Sequence, residues 1–231
     1  MFRMRIFVLI LVLSIAAFGA ESKTQVEQKT NRWENDIKQF ENWDSKNSYP
    51  KNAVLFVGSS SIRMWPTRES FDNLPVINRG FGGSQICDSN HYFNRIILLY
   101  KPRVIVLYAG DNDIAGGKTP QQVFEDYKQF VGLVRKSLPQ TPVIYVGIKP
   151  SGSRWSLWPA MKQVNEMVET FCKENNHLLY FDSAKPILGE DGKPMDNLFL
   201  GDKLHLNAEG YKAWTKQLRP LIRKALKFNR I

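Results

Sequence analysis

Short runs of consecutive apolar and β-branched residues recur along the chain, separated by longer segments of mixed polarity. Continuous apolar runs of this length are typical of strands that are covered on both faces, as in a parallel sheet. The pattern therefore predicts five strands. They are Ala53–Val57, Val76–Asn78, Val104–Ala109, Val143–Ile148 and Leu178–Phe181.

Between these runs, apolar residues recur at the three- and four-residue spacing of amphipathic helices. One helix is predicted to begin with Thr119 as its N-cap and Pro120 in its first turn. A second opens near Pro159, and the last covers residues 211–225 with a kink at Pro220. Helices therefore connect successive strands along most of the chain.

The alternation of strands and helices predicts an α/β fold: a three-layer α/β/α sandwich around a five-stranded parallel sheet with right-handed crossovers. A chain of 231 residues is long enough for one such domain, expected over residues 51–231. Residues 20–50 are expected to form a helical leader that packs on the outside. Ligands of such folds bind outside the carboxyl ends of the strands, which is where candidate chemistry is expected.

The first 19 residues have the organisation of a secretory signal peptide. Arg3 and Arg5 precede an apolar stretch, Ile6–Phe18, and small residues follow it. Cleavage after Gly19 is expected, and the alternative is retention as an N-terminal anchor, because the stretch is only slightly short of spanning a bilayer. We expect a periplasmic or secreted protein, without stable membrane insertion once the signal is removed.

The formal net charge of the chain is +10, and 30 Lys and Arg against 22 Asp and Glu remain after the signal peptide, or +8. Such a surface favours anionic surroundings. The basic residues are spread along the chain without interleaved aromatic residues, so nucleic-acid binding is not expected.

The chain contains two cysteines and three histidines. Export would permit a Cys87–Cys172 disulfide, but Cys172 lies at an apolar position of a predicted helix, so a buried free thiol is expected. Neither cysteine has a His or Cys neighbour at ligand spacing, so no zinc site is expected.

Four segments at predicted strand ends or before the last helix combine glycine with residues that carry chemistry. They are Gly58–Ser61, Asn78–Ile86, Ala109–Ile114 and Gly201–Asn207. A serine hydroxyl needs a base within hydrogen-bond reach, and that base needs an orienting acid. His205 can be the base, and Asp202, three residues earlier, can be the acid. A backbone N–H from the glycine loop and the Asn112 amide can stabilise an oxyanion.

In this order the four segments resemble the sequence blocks of the SGNH hydrolases, also called GDSL esterases and lipases. Gly-Ser-Ser60 stands where the family has Gly-Asp-Ser, and the resemblance makes Ser60 the nucleophile. Gly83 falls at the glycine of the second block, Gly-Asp-Asn112-Asp matches the third, and Asp202-Lys-Leu-His205 matches the last. The resemblance covers nearly all of the chain after the signal peptide, and it implies a flavodoxin-like fold and ester hydrolysis.

The same resemblance implies an oxyanion hole built from the backbone N–H groups of Ser60 and Gly83 and the side chain of Asn112. It implies no metal and no organic cofactor. The sequence departs from the family pattern at Ser59, where the family has an aspartate that is not part of the triad. The surrounding residues are similar to the branch of the platelet-activating-factor acetylhydrolase catalytic subunits, which act on short acyl groups.

Neighbouring residues receive other interpretations. Ser59 is expected to bond the backbone in its turn, Ser61 to cap the following helix, and Asp113 to hold its loop. Arg154 and Trp155, after the fourth predicted strand, are candidates to line the acyl or leaving-group pocket. The alternative for Trp155 is that it covers the start of the next helix.

These observations predict an exported serine esterase that hydrolyses short-chain esters, especially acetyl esters, of a carbohydrate or small molecule. A lysophospholipase or thioesterase of the same family is the enzymatic alternative. A catalytically idle module that binds an anionic envelope polymer is the alternative from another class. The full set of Ser60, Asn112, Asp202 and His205 argues against the idle module, because binding alone needs neither base nor orienting acid. The sequence does not define the oligomeric state.

Overall fold

The computed structural model describes residues 31–228, and the predicted signal peptide and the first part of the leader lie outside them. A five-stranded sheet forms its centre. The strands are β1 (Val54–Gly58), β2 (Val76–Gly80), β3 (Val104–Tyr108), β4 (Val143–Val146) and β5 (Leu178–Phe181). All neighbouring strands are parallel, in the order β2-β1-β3-β4-β5, with helices on both faces. The three-layer α/β/α prediction is confirmed.

Helices of very different lengths connect and flank the strands. The α-helices of residues 31–228 are α1 (Glu34–Lys46), α2 (Ser60–Arg63), α3 (Thr67–Ser70), α4 (Ile86–His91), α5 (Phe93–Ile96), α6 (Asp111–Ala115), α7 (Pro120–Ser137), α8 (Trp158–Glu174) and α9 (Ala208–Ala225). Short 3-10 turns cover Asn31–Trp33, Leu98–Tyr100, Gly152–Leu157 and Asp196–Leu198. The short helices α2 and α6 begin directly after strands, at the carboxyl edge of the sheet.

Alternate residues of the central strands face the two helical layers. In β1, Leu55 and Val57 belong to the core that includes residues of α1, α4, α5, α7 and α8. Val54 and Phe56 instead belong to the core that includes residues of α2 and α9. Because both faces are buried, every position of the strand must be apolar, which explains the uninterrupted hydrophobic runs in the sequence.

The end of β4 differs from the prediction, which placed it at Ile148. The strand ends two residues earlier, at Val146. The Ile148 backbone N–H donates to Asn165 Oδ1 at 2.7 Å, and its carbonyl accepts from Asn165 Nδ2 at 2.8 Å. A side chain of α8 therefore takes the place of a neighbouring strand, although Ile148 itself is buried.

Two of the predicted helix features are confirmed. Thr119 caps α7, with its hydroxyl accepting the Gln122 backbone N–H at 3.2 Å. The last helix, Ala208–Ala225, covers the predicted residues 211–225 and includes Pro220. The kink at Pro220 stays a prediction.

The leader contributes helix α1, which lies on the surface and packs one face against the core. Trp33 and Ile37 are buried in the core with the sheet. The Trp33 indole N–H donates to the Gly82 carbonyl at 2.8 Å. Arg95 on α5 pairs with Glu34 at 2.8 Å and with Glu41 at 2.6 Å, so α1 is fixed by ion pairs as well as by apolar contacts.

The two cysteines are both free. Cys172 is buried on α8 with its sulfur 3.3 Å from the Tyr127 hydroxyl, and Cys87 is half-buried on α4. The expectation of a buried free thiol at Cys172 is confirmed. Within residues 31–228, no helix has the length and apolar character needed to cross a bilayer.

Candidate active site

The turn between β1 and α2 places Ser60 at the carboxyl edge of the sheet. Ser60 is the first residue of α2, two residues after the end of β1 at Gly58. Gly58 has φ +133°, and a Cβ there would lie 1.8 Å from the Tyr108 carbonyl oxygen on β3. Only glycine allows so close an approach, which lets the Ser59 N–H donate to the same oxygen at 2.9 Å. The strand therefore turns sharply into α2 and presents Ser60 at its edge.

Ser60, His205 and Asp202 form a continuous hydrogen-bonded chain. His205 Nε2 lies 2.9 Å from Ser60 Oγ, and His205 Nδ1 lies 2.6 Å from Asp202 Oδ2. This is the geometry of a nucleophile, a base and an orienting acid. The structure thus brings together the three residues singled out as catalytic.

The carboxylate of Asp202 is fixed at both oxygens. Its Oδ1 accepts the backbone N–H groups of Leu204 and His205, each at 2.9 Å. The hydrogen bond from the His205 side chain, followed by the bond from its backbone N–H, lowers the pKa of Asp202 to about 2. The carboxylate is therefore ionised at neutral pH, and it favours the imidazole tautomer with the proton on His205 Nδ1.

Backbone and side-chain bonds hold the base and the nucleophile in one frame. The Leu200 N–H donates to the His205 carbonyl at 2.8 Å, and the Asn207 side chain caps α9. The Tyr211 hydroxyl on α9 donates to the Ser61 carbonyl of α2 at 3.0 Å. The helix that follows His205 is thus tied directly to the helix that begins with the serine.

Asn112 and Gly83 lie on adjacent loops at the same edge. Asn112 is in α6, which begins three residues after the end of β3, and its Nδ2 donates to the Ser84 carbonyl at 3.1 Å. Gly83 precedes Ser84 and has φ +77°, a backbone conformation that favours glycine. The structure therefore brings together the second and third blocks that were assigned to an oxyanion hole.

Asp113 connects these two loops, as the sequence analysis expected. Its fully buried carboxylate accepts the Ile86 backbone N–H at 3.2 Å and pairs with Lys118 at 3.0 Å. Burial raises the pKa of Asp113 to about 6, with Lys118 acting in the opposite direction. Asp113 is therefore a structural link between α6 and the start of α4.

Arg154 and Trp155 have different surroundings. Arg154 Nη2 donates to Asn112 Oδ1 at 3.0 Å, and Nη1 lies 3.2 Å from Asp111 Oδ2. Trp155 is 37% exposed and stacks on Trp158, the first residue of α8, with ring centroids 6.5 Å apart. The structure thus brings Arg154 to Asn112, while the contact of Trp155 supports the alternative that it covers the helix start.

The family model described as GDSL-like lipase/acylhydrolase matches residues 58–213, about two thirds of the chain. This chain belongs to that family. The resemblance to the platelet-activating-factor acetylhydrolase branch is confirmed as well. The chain is 28% identical to platelet-activating factor acetylhydrolase IB subunit alpha1 of Rattus norvegicus over 194 residues, which cover 79% of each sequence.

Solved structures share the fold. A GDSL-like lipase from Bacteroides thetaiotaomicron VPI-5482 matches with a TM-score of 0.69 at 19% identity, covering 82% of this chain and 98% of that one. A carbohydrate esterase family 3 protein from Talaromyces cellulolyticus matches with a TM-score of 0.62 at 17% identity, covering 75% and 97%. Family membership and fold together identify this GDSL acylhydrolase as a carboxylic ester hydrolase.

The two serines beside Ser60 do not have the contacts predicted for them. Ser59 is the N-cap residue of α2, but its buried hydroxyl makes no hydrogen bond within residues 31–228. Ser61 lies inside α2, not at its start, so it does not cap the helix. The Ser61 expectation was wrong because α2 begins at Ser60, two residues earlier than a Ser61 cap requires, and the Ser59 expectation was wrong because its hydroxyl is enclosed without a partner.

Sequence reasoning missed two charged residues in this acylhydrolase. Lys149 is only 1% exposed; its Nζ donates to the Tyr108 hydroxyl at 3.2 Å and lies 3.6 Å from Asp111 Oδ2. Burial lowers the pKa of Lys149, while Asp111 acts to raise it. A lysine directly after an apolar strand run is a signal that could have found Lys149. Asp111 occupies the unspecified position of the third block and carries no such signal.

Within residues 31–228, the structure does not place three or more His, Cys, Asp or Glu side chains close enough together to bind a metal ion. The polar groups at the carboxyl edge instead bond to one another and leave the Ser60 hydroxyl facing its base. The arrangement can therefore carry out acyl transfer through serine with the chain's own residues.

Proposed function

We propose that this GDSL acylhydrolase is an exported serine esterase that hydrolyses short-chain esters, especially acetyl esters, of a carbohydrate or small molecule. The observation that carries the proposal is the hydrogen-bonded chain from Ser60 Oγ through His205 to Asp202. A serine hydroxyl becomes a useful nucleophile only when such a base can remove its proton.

The proposed reaction uses the three residues in sequence. Ser60 Oγ attacks the ester carbonyl while its proton passes to His205 Nε2, and Asp202 stabilises the imidazolium. The C–O bond to the alcohol then breaks, and His205 protonates the leaving oxygen. Water enters, loses a proton to His205 and attacks the acyl carbon. The bond from that carbon to Ser60 Oγ then breaks, His205 returns the proton to Oγ, and the acid is released.

The oxyanion that forms in each half-reaction needs donors. We assign them to the backbone N–H groups of Ser60 and Gly83 and to the Asn112 amide. Ser60 supports this role because the first N–H groups of a helix have no partner inside the helix. Asn112 supports it because one of its two amide protons is used by Ser84 and the other is left for a ligand.

The substrate class rests on what related proteins are called. One relative is named an acetylhydrolase, and one structure with the same fold is named a carbohydrate esterase. Export rests on the N-terminal signal pattern. Mass measurement of the protein in cell fractions tests export: a mature N-terminus at Ala20 supports it, and full-length protein in the membrane fraction indicates an anchor instead.

Hydrolysis of p-nitrophenyl esters from acetate to dodecanoate tests the proposal directly. We expect activity to be highest on short chains and to disappear in Ser60→Ala, because no other group replaces the attacking oxygen. Ser61→Ala is the matched control; it removes the adjacent hydroxyl and should keep activity and folding.

Two other outcomes would contradict the proposal. A maximum at long acyl chains would favour the lysophospholipase or thioesterase alternative. Equal rates for the wild type and Ser60→Ala, together with salt-sensitive binding to an anionic polymer, would favour the idle envelope-binding module.

A further inference from the structure

The buried charges behind Asn112 have no role in the reaction described so far. We infer that Arg154, held in place by Asp111, is a positioning residue that orients the Asn112 amide toward the oxyanion. The inference rests on the proposed function, in which Asn112 is an oxyanion donor.

An asparagine amide is not oriented by its own rotamer preferences, because its terminal torsion is broad and roughly two-fold. In this enzyme both ends of the amide are bonded. Asn112 Nδ2 donates to the Ser84 carbonyl at 3.1 Å, and Asn112 Oδ1 accepts from Arg154 Nη2 at 3.0 Å. Two fixed bonds define the amide plane, so the direction of the remaining N–H is defined as well.

Arg154 is itself held by a buried carboxylate. Its Nη1 lies 3.2 Å from Asp111 Oδ2, and Asp111 Oδ1 accepts the Asn112 backbone N–H at 3.0 Å. The Asp111 carboxylate therefore contacts both the Arg154 guanidinium and the backbone of Asn112, whose side chain Arg154 orients. The contact between Arg154 and Asp111 is an ion pair, and rotation of the Asn112 amide would break its own bonds to Ser84 and Arg154.

Lys149 adds a second cation to the same carboxylate. Its Nζ lies 3.6 Å from Asp111 Oδ2, and the Lys149 and Asp111 side chains are 1% and 4% exposed. Burying a cation is costly unless it is paired, so the position of Lys149 demands Asp111. The Asp111 carboxylate therefore lies between Lys149 and Arg154 and is fixed by both.

Arg154→Met tests the inference in ester hydrolysis. We expect kcat to fall about 10- to 100-fold with KM nearly unchanged, because a residue that acts through Asn112 affects the oxyanion of the transition state and not substrate binding. The loss should not exceed that of Asn112→Ala, which removes the donor and is expected to cost about 100-fold or more. In the double variant, Arg154→Met should cause no further loss.

Two further variants separate positioning from folding. Arg219→Met removes an arginine of α9 that donates to the Ser70 carbonyl of α3, and it should leave kcat unchanged. Arg154→Gln keeps an N–H donor for Asn112 Oδ1 and should lose less activity than Arg154→Met. Thermal unfolding of each variant shows whether the comparison is made between folded proteins.

The side-chain amide signals of Asn112 in NMR test the positioning without any turnover. We expect a rigid NH2 group in the wild type and a mobile one in Arg154→Met. A rise in KM at unchanged kcat would make Arg154 a substrate contact and overturn the inference. Additive losses in the double variant, or an unchanged amide signal, would also overturn it. Absence of wild-type esterase activity would count against the proposed function, while the amide signal would still decide the positioning.

Discussion

Replacing Asp202 by asparagine is the sharpest test of the proposed relay, because the structure defines how the new side chain must sit. Asp202 Oδ1 accepts two backbone N–H groups, those of Leu204 and His205. An asparagine must keep its oxygen there, so its NH2 group faces His205 Nδ1. That contact favours the tautomer with the proton on Nε2, which cannot accept a proton from Ser60.

The size of the effect follows from the chemistry and the exposure. In serine protease triads the same change lowers turnover by about 10⁴-fold. The Asp202 side chain is 47% exposed, so water competes for Nδ1 and screens the charge. We therefore expect about a 10³-fold loss in kcat for Asp202→Asn. Asp202→Ala should lose less, since water can bind Nδ1 without imposing the wrong tautomer.

The assay is the steady-state hydrolysis of p-nitrophenyl acetate near neutral pH, with circular dichroism to verify folding. Asp191→Asn is a matched control, because Asp191 also accepts a backbone N–H two residues ahead, from Lys193 at 3.0 Å, but lies outside the site. The reasoning would be refuted by an Asp202→Asn enzyme that is as active as the wild type, or more active than Asp202→Ala.

Two further predictions concern stability. Gly58→Ala should destabilise the fold by more than about 3 kcal/mol in urea unfolding, because φ is positive and the new Cβ would lie 1.8 Å from the Tyr108 carbonyl oxygen. Gly132→Ala is the control: its Cβ would enter open space on α7 and should stabilise the fold by about 0.5 kcal/mol. Similar effects of the two substitutions would contradict the steric argument. The pKa of Asp113 is raised from 3.8 to about 6 in the folded state, so as pH falls the folded protein takes up this proton before the unfolded chain does. The stabilisation that this proton uptake provides is therefore lost as pH rises through about 6. Relative to Asp113→Asn, the wild type should therefore gain stability as pH falls from 6 to 4, and thermal unfolding that shows no such change would refute the assignment.

Much of the fold could be predicted because burial on both faces of the sheet leaves a direct mark on the sequence. The strands were located to within two residues, and β4 was extended too far because the bonds between Ile148 and Asn165 join positions distant in the chain. Local apolar character alone cannot reveal such a bond.

Contacts in the site could be predicted between residues of one short motif. Contacts between residues that are distant in the sequence and meet only in the folded protein could not. Asp202 and His205 are three residues apart, so their pairing can be read from spacing. Arg154 and Asn112 are 42 residues apart, and only the packing of two loops brings them together. The contacts of Ser59 were misjudged for a related reason: a hydroxyl that could bond locally is instead enclosed by its surroundings.

The bond from Trp33 to Gly82 has a consequence for how small this enzyme can be made. Trp33 precedes α1, yet its indole holds the carbonyl next to Gly83, and its ring packs edge-on against Phe81 at 6.0 Å. A shortened form that starts at Lys51 would keep every residue of the family motifs and still lack one wall of the glycine loop. We therefore expect the smallest active unit to begin ahead of the first motif, at or before Trp33.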